Sequence, residues 1–226
     1  MPPEHPQIHP SFRWPDIDTI LLDMDGTLLD SYFDDFFWEE YVPKVFAEAY
    51  GLSAEEARKR LLAKYQQVEC TLQWADLDYW SDQLGLDIPE LKCKIDHLIQ
   101  VHPYVVDFLR YINGINKEIH LVTNAHTKTL EIKLRKTAIG PYFTRIIPAE
   151  EVGEAKEVPV FWEKLATMLK YDKARTLLVD DNTKVLASAQ AYGLGHLVYV
   201  AKPSSRRPVS FSPEHPSIVF FQELIF

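Results

Sequence analysis

Short apolar runs and helically spaced apolar stripes alternate along most of this chain, with one long interruption. Ile20-Leu21-Leu22, Ile119-His120-Leu121-Val122, Arg145-Ile146-Ile147, Thr176–Val179 and His196–Val200 each predict a strand. Between the later ones, 105–112, 128–138, 160–169 and 184–192 place apolar residues at helical intervals, and Gly193 stands just past the last. Strand–helix alternation of this kind predicts an α/β fold: a Rossmann-like, doubly wound parallel sheet. In such sheets active sites lie beyond the carboxyl ends of the strands.

The interruption falls between the first and second strands. From Ser31 to Val101 the spacing is helical throughout. Phe33, Phe36, Phe37 and Tyr41 share a stripe with Trp38 alongside, and Gly51 ends the segment. Ser53-Ala54-Glu55-Glu56 is a capping box that opens the next helix, through Leu61, Leu62 and Tyr65. Trp74, Leu77, Tyr79 and Trp80 form an aromatic cluster, and Pro89 suits the start of a helix through Leu91, Ile95 and Leu98. The expected division is a discontinuous α/β core of 17–30 and 102–226 with an inserted all-helical segment of 31–101. Residues 1–16, rich in Pro and His, are expected to form a loose arm in which His5 and His9 are solvated. The Pro/Ser-rich stretch 202–216, with Arg206-Arg207, reads as a surface loop, and 218–226 as a short helix that packs back.

Three strand ends carry candidate chemistry. Asp23 and Asp25, two apart on an extended chain, point the same way at the end of the first strand. Carboxylates so close repel unless positive charge stands near, and a hard cation such as Mg²⁺ takes oxygen ligands. Gly26 permits the turn that follows, and Thr27 offers a hydroxyl and an N–H to an anion. Thr123-Asn124 ends the second strand with a hydroxyl and an amide; the same pair also suits the cap of the next helix. Asp180-Asp181 ends the Thr176–Val179 strand in paired acids. Lys156 precedes a helix in Gly153-Glu154-Ala155-Lys156-Glu157-Val158-Pro159, with Lys164 and Lys173 as weaker candidates for the same cationic role.

Asp23-Met24-Asp25-Gly26-Thr27 resembles the first motif of the haloacid-dehalogenase-like phosphohydrolases, and the other three segments resemble that superfamily's second, third and fourth motifs in order. The resemblance spans about residues 17–201 and identifies the helical segment as a cap that closes over the site and carries specificity. It implies that Asp23 attacks phosphorus to form an aspartyl-phosphate and that Asp25 is general acid and then base. Thr27, Thr123, Asn124 and Lys156 would hold the phosphate. Mg²⁺ would be held by Asp23, the backbone carbonyl of Asp25 and Asp181, with Asp180 orienting a metal-bound water or the lysine, or with the roles of Asp180 and Asp181 exchanged. One departure stands out: many relatives have Pro directly after the lysine, whereas here Pro159 comes three residues later.

Composition fits this picture. The chain has 226 residues, 46% hydrophobic and 25% charged, enough for one substantial domain and a small one. No apolar run approaches the ~18 residues of a membrane span, and the N-terminus lacks a signal-peptide pattern, so a cytoplasmic location is expected. The two cysteines, Cys70 and Cys93, lack metal-ligand spacing and read as reduced structural thiols. A net charge of −9 disfavours a polynucleotide partner but not a small phosphorylated one.

Within the superfamily, the Phe37-Trp38 pair, Thr71-Leu72-Gln73-Trp74 and the stretch from Leu77 to Ile88 resemble the bacterial GMP/IMP nucleotidases. That implies hydrolysis of purine nucleoside 5′-monophosphates, with Trp38, Tyr41, Trp74 and Tyr79 as candidates to stack a base. A phosphoglycolate or sugar-phosphate phosphatase, or a phosphomutase, would keep all four motifs, and a catalytically idle nucleotide-binding protein is the alternative of another class. A 2-haloacid dehalogenase normally lacks an aspartate at the place of Asp25, which counts against that reading.

Overall fold

The computed structural model describes residues 4–225. Six strands form one all-parallel sheet in the order β3-β2-β1-β4-β5-β6. They are β1 (Thr19–Leu22), β2 (Glu118–Thr123), β3 (Arg145–Pro148), β4 (Thr176–Asp180), β5 (His196–Val200) and β6 (Ser217–Ile218). The first five are the expected ones. The sixth, only two residues long, lies inside the tail read as loop and helix, and only Phe221–Leu224 there forms a helical turn.

Alternate residues of the central strands enter different layers, as the pleat requires. Ile20, Leu22, Leu121, Leu177 and Val179 join one buried cluster, while Leu21, Val122 and Leu178 join the other. Helices α7 (Val105–Gly114) and α8 (Thr127–Thr137) contribute to the first cluster. On the opposite face lie α9 (Ala149–Val152), α10 (Pro159–Leu169) and α11 (Thr183–Tyr192). Both faces are covered, so the central strands are apolar throughout rather than alternating. From β1 the chain winds outward through β2 and β3, then returns to place β4 on β1's other side. The carboxyl tips of β1 and β4 therefore flank the point where the winding reverses.

Between β1 and α7 every element is helical: α1 (Tyr32–Phe36), a π-helical turn (Phe37–Tyr41), α2 (Val42–Tyr50), α3 (Ala54–Val68), α4 (Leu72–Ala75), α5 (Leu77–Leu84), α6 (Ile88–Lys94) and a 3-10 turn (Asp96–Leu98). The first three run on continuously. Pro43 lacks the N–H that would bond back one turn, and the wider turn before it absorbs the mismatch. The Ser53 hydroxyl caps α3 by accepting the Glu56 N–H at 3.2 Å. Phe37, Trp38, Tyr65, Trp74 and Trp80 pack mostly edge to face with ring centroids 4.8–6.3 Å apart, Phe37 and Trp80 buried in the cap's interior and Trp74 at its surface.

The chain crosses between core and cap twice, and the crossings pair: Asp30 N–H donates to Gln100 O and His102 N–H to Leu28 O, both at 2.9 Å. The loop after β5 grips both. Pro203 O accepts the Ser31 N–H at 2.9 Å and lies 3.1 Å from His102 Nε2, while the Ser205 N–H donates to Asp30 Oδ1 at 3.0 Å. This segment is thus more than the surface loop its composition predicts. The expected loose arm is also tied down: Ser217 N–H donates to Ile8 O at 2.7 Å, and buried Trp14 donates its indole N–H to Leu224 O at 3.2 Å. An apolar ring placed against Phe108 pins what proline content alone suggests is free. Residues 1–3 of that arm lie outside the described residues.

Candidate active site

The backbone of β1 continues past Leu22, with Asp23 N–H donating to Val179 O at 3.1 Å, so Asp23 sits at the joint tip of β1 and β4. Gly26 then turns the chain at φ +82°, and a Cβ there would lie 2.3 Å from Asp181 Oδ2. Glycine both accepts the left-handed turn and leaves room for the second strand's acid.

Carboxylate oxygens of Asp23, Asp180 and Asp181 lie within 4.8 Å of one another. Buried Lys156 stands among them, its ammonium 2.5 Å from Asp23 Oδ1, 2.7 Å from Asp180 Oδ2 and 3.2 Å from Val122 O. Asp180 uses its other oxygen to accept the Asn182 N–H at 2.9 Å. Asp181 has no hydrogen-bond or ion-pair partner among the described residues. Burial pushes the Asp23 carboxyl up to about 6 against the pull of Lys156, and neighbouring Asp180 adds to the rise. Burial also raises Asp180 despite Lys156, and raises Asp181 well above the usual carboxylate range, with Asp23 and Asp180 repelling it further. Burial opposes the charge on Lys156, but Asp180 and Asp23 outweigh it and raise the group. Three acids against one ammonium leave negative charge uncompensated. An oxygen donor set with a partnerless carboxylate fits a hard divalent cation.

The segment carrying Lys156 is pinned without an adjacent proline. Lys156 N–H donates to Asn124 Oδ1 at 3.1 Å and Trp162 Nε1–H to Lys156 O at 3.1 Å. Glu157, which sequence reasoning passed over, accepts the side-chain amides of Asn124 at 2.9 Å and Asn182 at 3.2 Å. These bonds replace the rigidity a proline would supply. Asn124 is accordingly a brace between strand tip and lysine loop. Thr123 lines the cavity, its Oγ1 accepting the Ala125 N–H at 3.0 Å, which leaves the hydroxyl proton for another acceptor. Thr27 differs from expectation. Its side chain is fully buried, Oγ1 has no partner among the described residues, and it is absent from the cavity wall. The turn at Gly26 carries the next residue inward, so its hydroxyl is not presented to an anion.

Asp25 keeps 28% of its side chain exposed and lines the same cavity. Its Oδ1 is 2.5 Å from the ammonium of Lys133 on α8. Lys133, 1% exposed, also reaches Asp34 Oδ2 of α1 at 2.5 Å, and Asp34 Oδ1 is 2.8 Å from Lys92 of α6. Burial pushes Asp25 up to about 6 against Lys133, with Asp34 adding to the rise. Burial would raise Asp34 as well, yet Lys133 and Lys92 hold it down at about 2. This network is absent from the motif reading. Its trace in the sequence is a lysine on each of two buried stripes: Lys133 three residues after Leu130, and Lys92 four after Ile88.

All these acids open onto one cavity of about 900 Å³ between core and cap. Its far wall is Trp38, Leu61, Leu62, Tyr65 and Trp74, with Gln66 and Arg58 at hand. Leu62 and Trp74 are 56% and 39% exposed, so this wall keeps apolar surface open to the cavity. Of the expected aromatic candidates Trp38 and Trp74 line the cavity, whereas Tyr41 and Tyr79 do not, and Tyr65 joins unforeseen. The thiols are exposed rather than structural, and Cys70 is on the cavity wall. Exposed ion pairs such as Lys128–Asp78 and Lys184–Glu69 link the cap's rim to the core.

A family model described as haloacid dehalogenase-like hydrolase matches residues 17–193. The chain is 34% identical over 218 residues to the GMP/IMP nucleotidase YrfG of Escherichia coli K12, covering 96% of this chain and 98% of that relative. It is 27% identical over 180 residues to the pyrimidine 5′-nucleotidase YjjG of the same organism, covering 74% of this chain and 78% of the other. Among solved structures, the HAD phosphatase from Thermococcus onnurineus superposes with a TM-score of 0.76 at 22% identity, covering 92% and 96% of the two chains. The chain belongs to the haloacid dehalogenase-like hydrolase family, and it is an enzyme of the phosphohydrolase type. Among the described residues no helix is long and apolar enough to cross a membrane.

Proposed function

We propose that this protein is a Mg²⁺-dependent 5′-nucleotidase that hydrolyses purine nucleoside monophosphates, IMP and GMP foremost, through an aspartyl-phosphate. One observation carries the reading: a single cavity joins the acid–lysine cluster at the strand tips to an exposed aromatic wall in the cap. The phosphate end of a nucleotide needs the first and the base the second. The similarity to YrfG, a relative named for GMP and IMP, points the same way.

Asp23 is the nucleophile, buried at the tip and oriented by Lys156. Its carboxylate attacks phosphorus in line with the ribose oxygen, which leaves with a proton from Asp25. Asp25 then takes a proton from water as that water's oxygen attacks phosphorus, and the Asp23–phosphate bond breaks. Lys156 and Thr123 receive the charge on the equatorial phosphoryl oxygens. Asp181, with its unpartnered carboxylate, and Asp23 would hold Mg²⁺ with the Asp25 carbonyl, while Asp180, already engaged with Lys156 and Asn182, acts through the lysine. Bound there, Mg²⁺ supplies charge neutralisation between carboxylate and phosphate. The 31–101 cap excludes bulk water and contacts the base.

The test is phosphate release from IMP, GMP, AMP, sugar phosphates and phosphoglycolate with Mg²⁺ present. IMP and GMP should give the highest kcat/KM. A clear preference for sugar phosphates overturns the nucleotidase reading, and no release from any of them overturns the phosphatase reading.

A further inference from the structure

The acid that serves the leaving group must present one oxygen in one direction. An aspartate with part of its side chain in an open cavity does not hold such an orientation unaided. Asp25 is held. Lys133 engages Oδ1 at 2.5 Å, and Oδ2 has no hydrogen-bond partner among the described residues. Lys133 is held in turn by Asp34 at 2.5 Å, and Asp34 by Lys92 at 2.8 Å. Lys92 is itself enclosed, its ammonium 4.8, 4.5 and 5.6 Å from the ring centres of Phe33, Phe37 and Trp38. Trp38 belongs to the cavity's aromatic wall. The chain of contacts thus runs from the cap surface that faces the base, through two lysines and an aspartate, to the carboxyl that faces the scissile bond.

We infer that Lys133 is a positioning residue for Asp25, seated by Asp34 and Lys92 of the cap, and that it turns Asp25 Oδ2 toward the leaving oxygen. The inference rests on the assignment of Asp25 as general acid. Two lysines and two carboxylates that merely join cap to core would look the same in a static structure, so the discriminating measurement must read the leaving group. The proton given by Asp25 matters greatly for a ribose oxygen and little for p-nitrophenolate, which departs without protonation. The ratio kcat/KM covers only steps up to departure of the leaving group, so the later hydrolysis of the phospho-aspartate does not blur it.

The experiment compares kcat/KM of the full chain and of Lys133→Met, with Mg²⁺, on IMP and on p-nitrophenyl phosphate. The IMP value should fall about 100-fold, in the range of a lost general acid, and the p-nitrophenyl phosphate value by less than about fivefold. Lys133→Arg, which keeps a donor, should recover most of the IMP loss. Equal falls on both substrates, or no fall on either, overturn the inference. Should Lys133→Met not fold, Lys133→Met/Asp34→Asn also removes the negative charge that Lys133 shared with Lys92 and is read by the same ratio. A parent protein that cleaves p-nitrophenyl phosphate but not IMP refutes the nucleotide substrate alone. The same ratio is then taken between an alkyl and an aryl phosphate that it does cleave. A parent that cleaves no phosphomonoester refutes both readings.

Discussion

Two buried lysines each stand between two aspartates in this molecule, and they differ in what holds them. Lys156 touches Asp23, Asp180 and Val122 O, all from adjoining strands of one sheet. Lys133 touches Asp25 from the core and Asp34 from the cap, and Asp34 leads on to Lys92, also of the cap. The first cluster is built by sheet register from core residues alone. The second combines a core contact, Lys133 with Asp25, and a cap contact, Lys133 with Asp34 of α1. Similar ion-pair chemistry thus builds one cluster from the core alone and a second that joins core to cap.

Removing the core cluster's lysine should have the largest effect. Lys156→Met is expected to lower kcat by roughly 10²–10³-fold on IMP and p-nitrophenyl phosphate alike, measured by steady-state phosphate release. A leaving-group-dependent loss there would erase the contrast with Lys133. Next come the stabilities, read from urea denaturation. Lys133→Met strands the Asp25 carboxylate and leaves Asp34 with Lys92 alone, and should cost about 3–5 kcal/mol. Lys92→Met leaves Asp34 its other lysine and fills an aromatic-lined space, and should cost about 1–2 kcal/mol. Equal costs would mean that the two cap-side contacts are not a hierarchy.

The acids set a smaller, pH-dependent difference. Asp23 and Asp25 are raised to about 6, so the folded metal-free protein binds protons more tightly than the unfolded chain. That stability is fully present below the unfolded value near 4 and is lost as pH rises through 6. Mg²⁺ competes with those protons, so its stabilisation, read as a rise in Tm, should be larger at pH 7.5 than at pH 5. The smallest effect belongs to the rim. Lys128→Ala removes an exposed pair with Asp78 and should leave Tm unchanged within scatter.

What was legible in the sequence follows the same division. Asp23, Asp180 and Asp181 sit where apolar runs end, and a strand's end is visible in a linear pattern, so the acid cluster and five of the six strands could be read directly. Lys156 was legible as a cation before a helix, but the Glu157 brace that substitutes for an adjacent proline was not, because its partners Asn124 and Asn182 come from two other strand tips. Lys133 and Lys92 went unseen because their meaning depends on tertiary pairing across α1, α6 and α8. A lysine on an apolar stripe looks like a tolerated irregularity until its aspartate is found. Thr27 was misplaced for a related reason: its motif position suggests a ligand, but the left-handed turn at Gly26 sends its side chain inward. β6 was missed since two residues carry no period.

The loop after β5 holds a further consequence. Pro203 bonds at Ser31 and stands beside His102, and its ring also lies 3.0 Å from where a Cβ on Gly26 would be. One residue outside every recognised motif therefore meets both crossings between core and cap and fills the space beside the turn at Gly26. The C-terminal stretch that carries it is thus a clasp, closed over the two stems of the cap and the turn after β1.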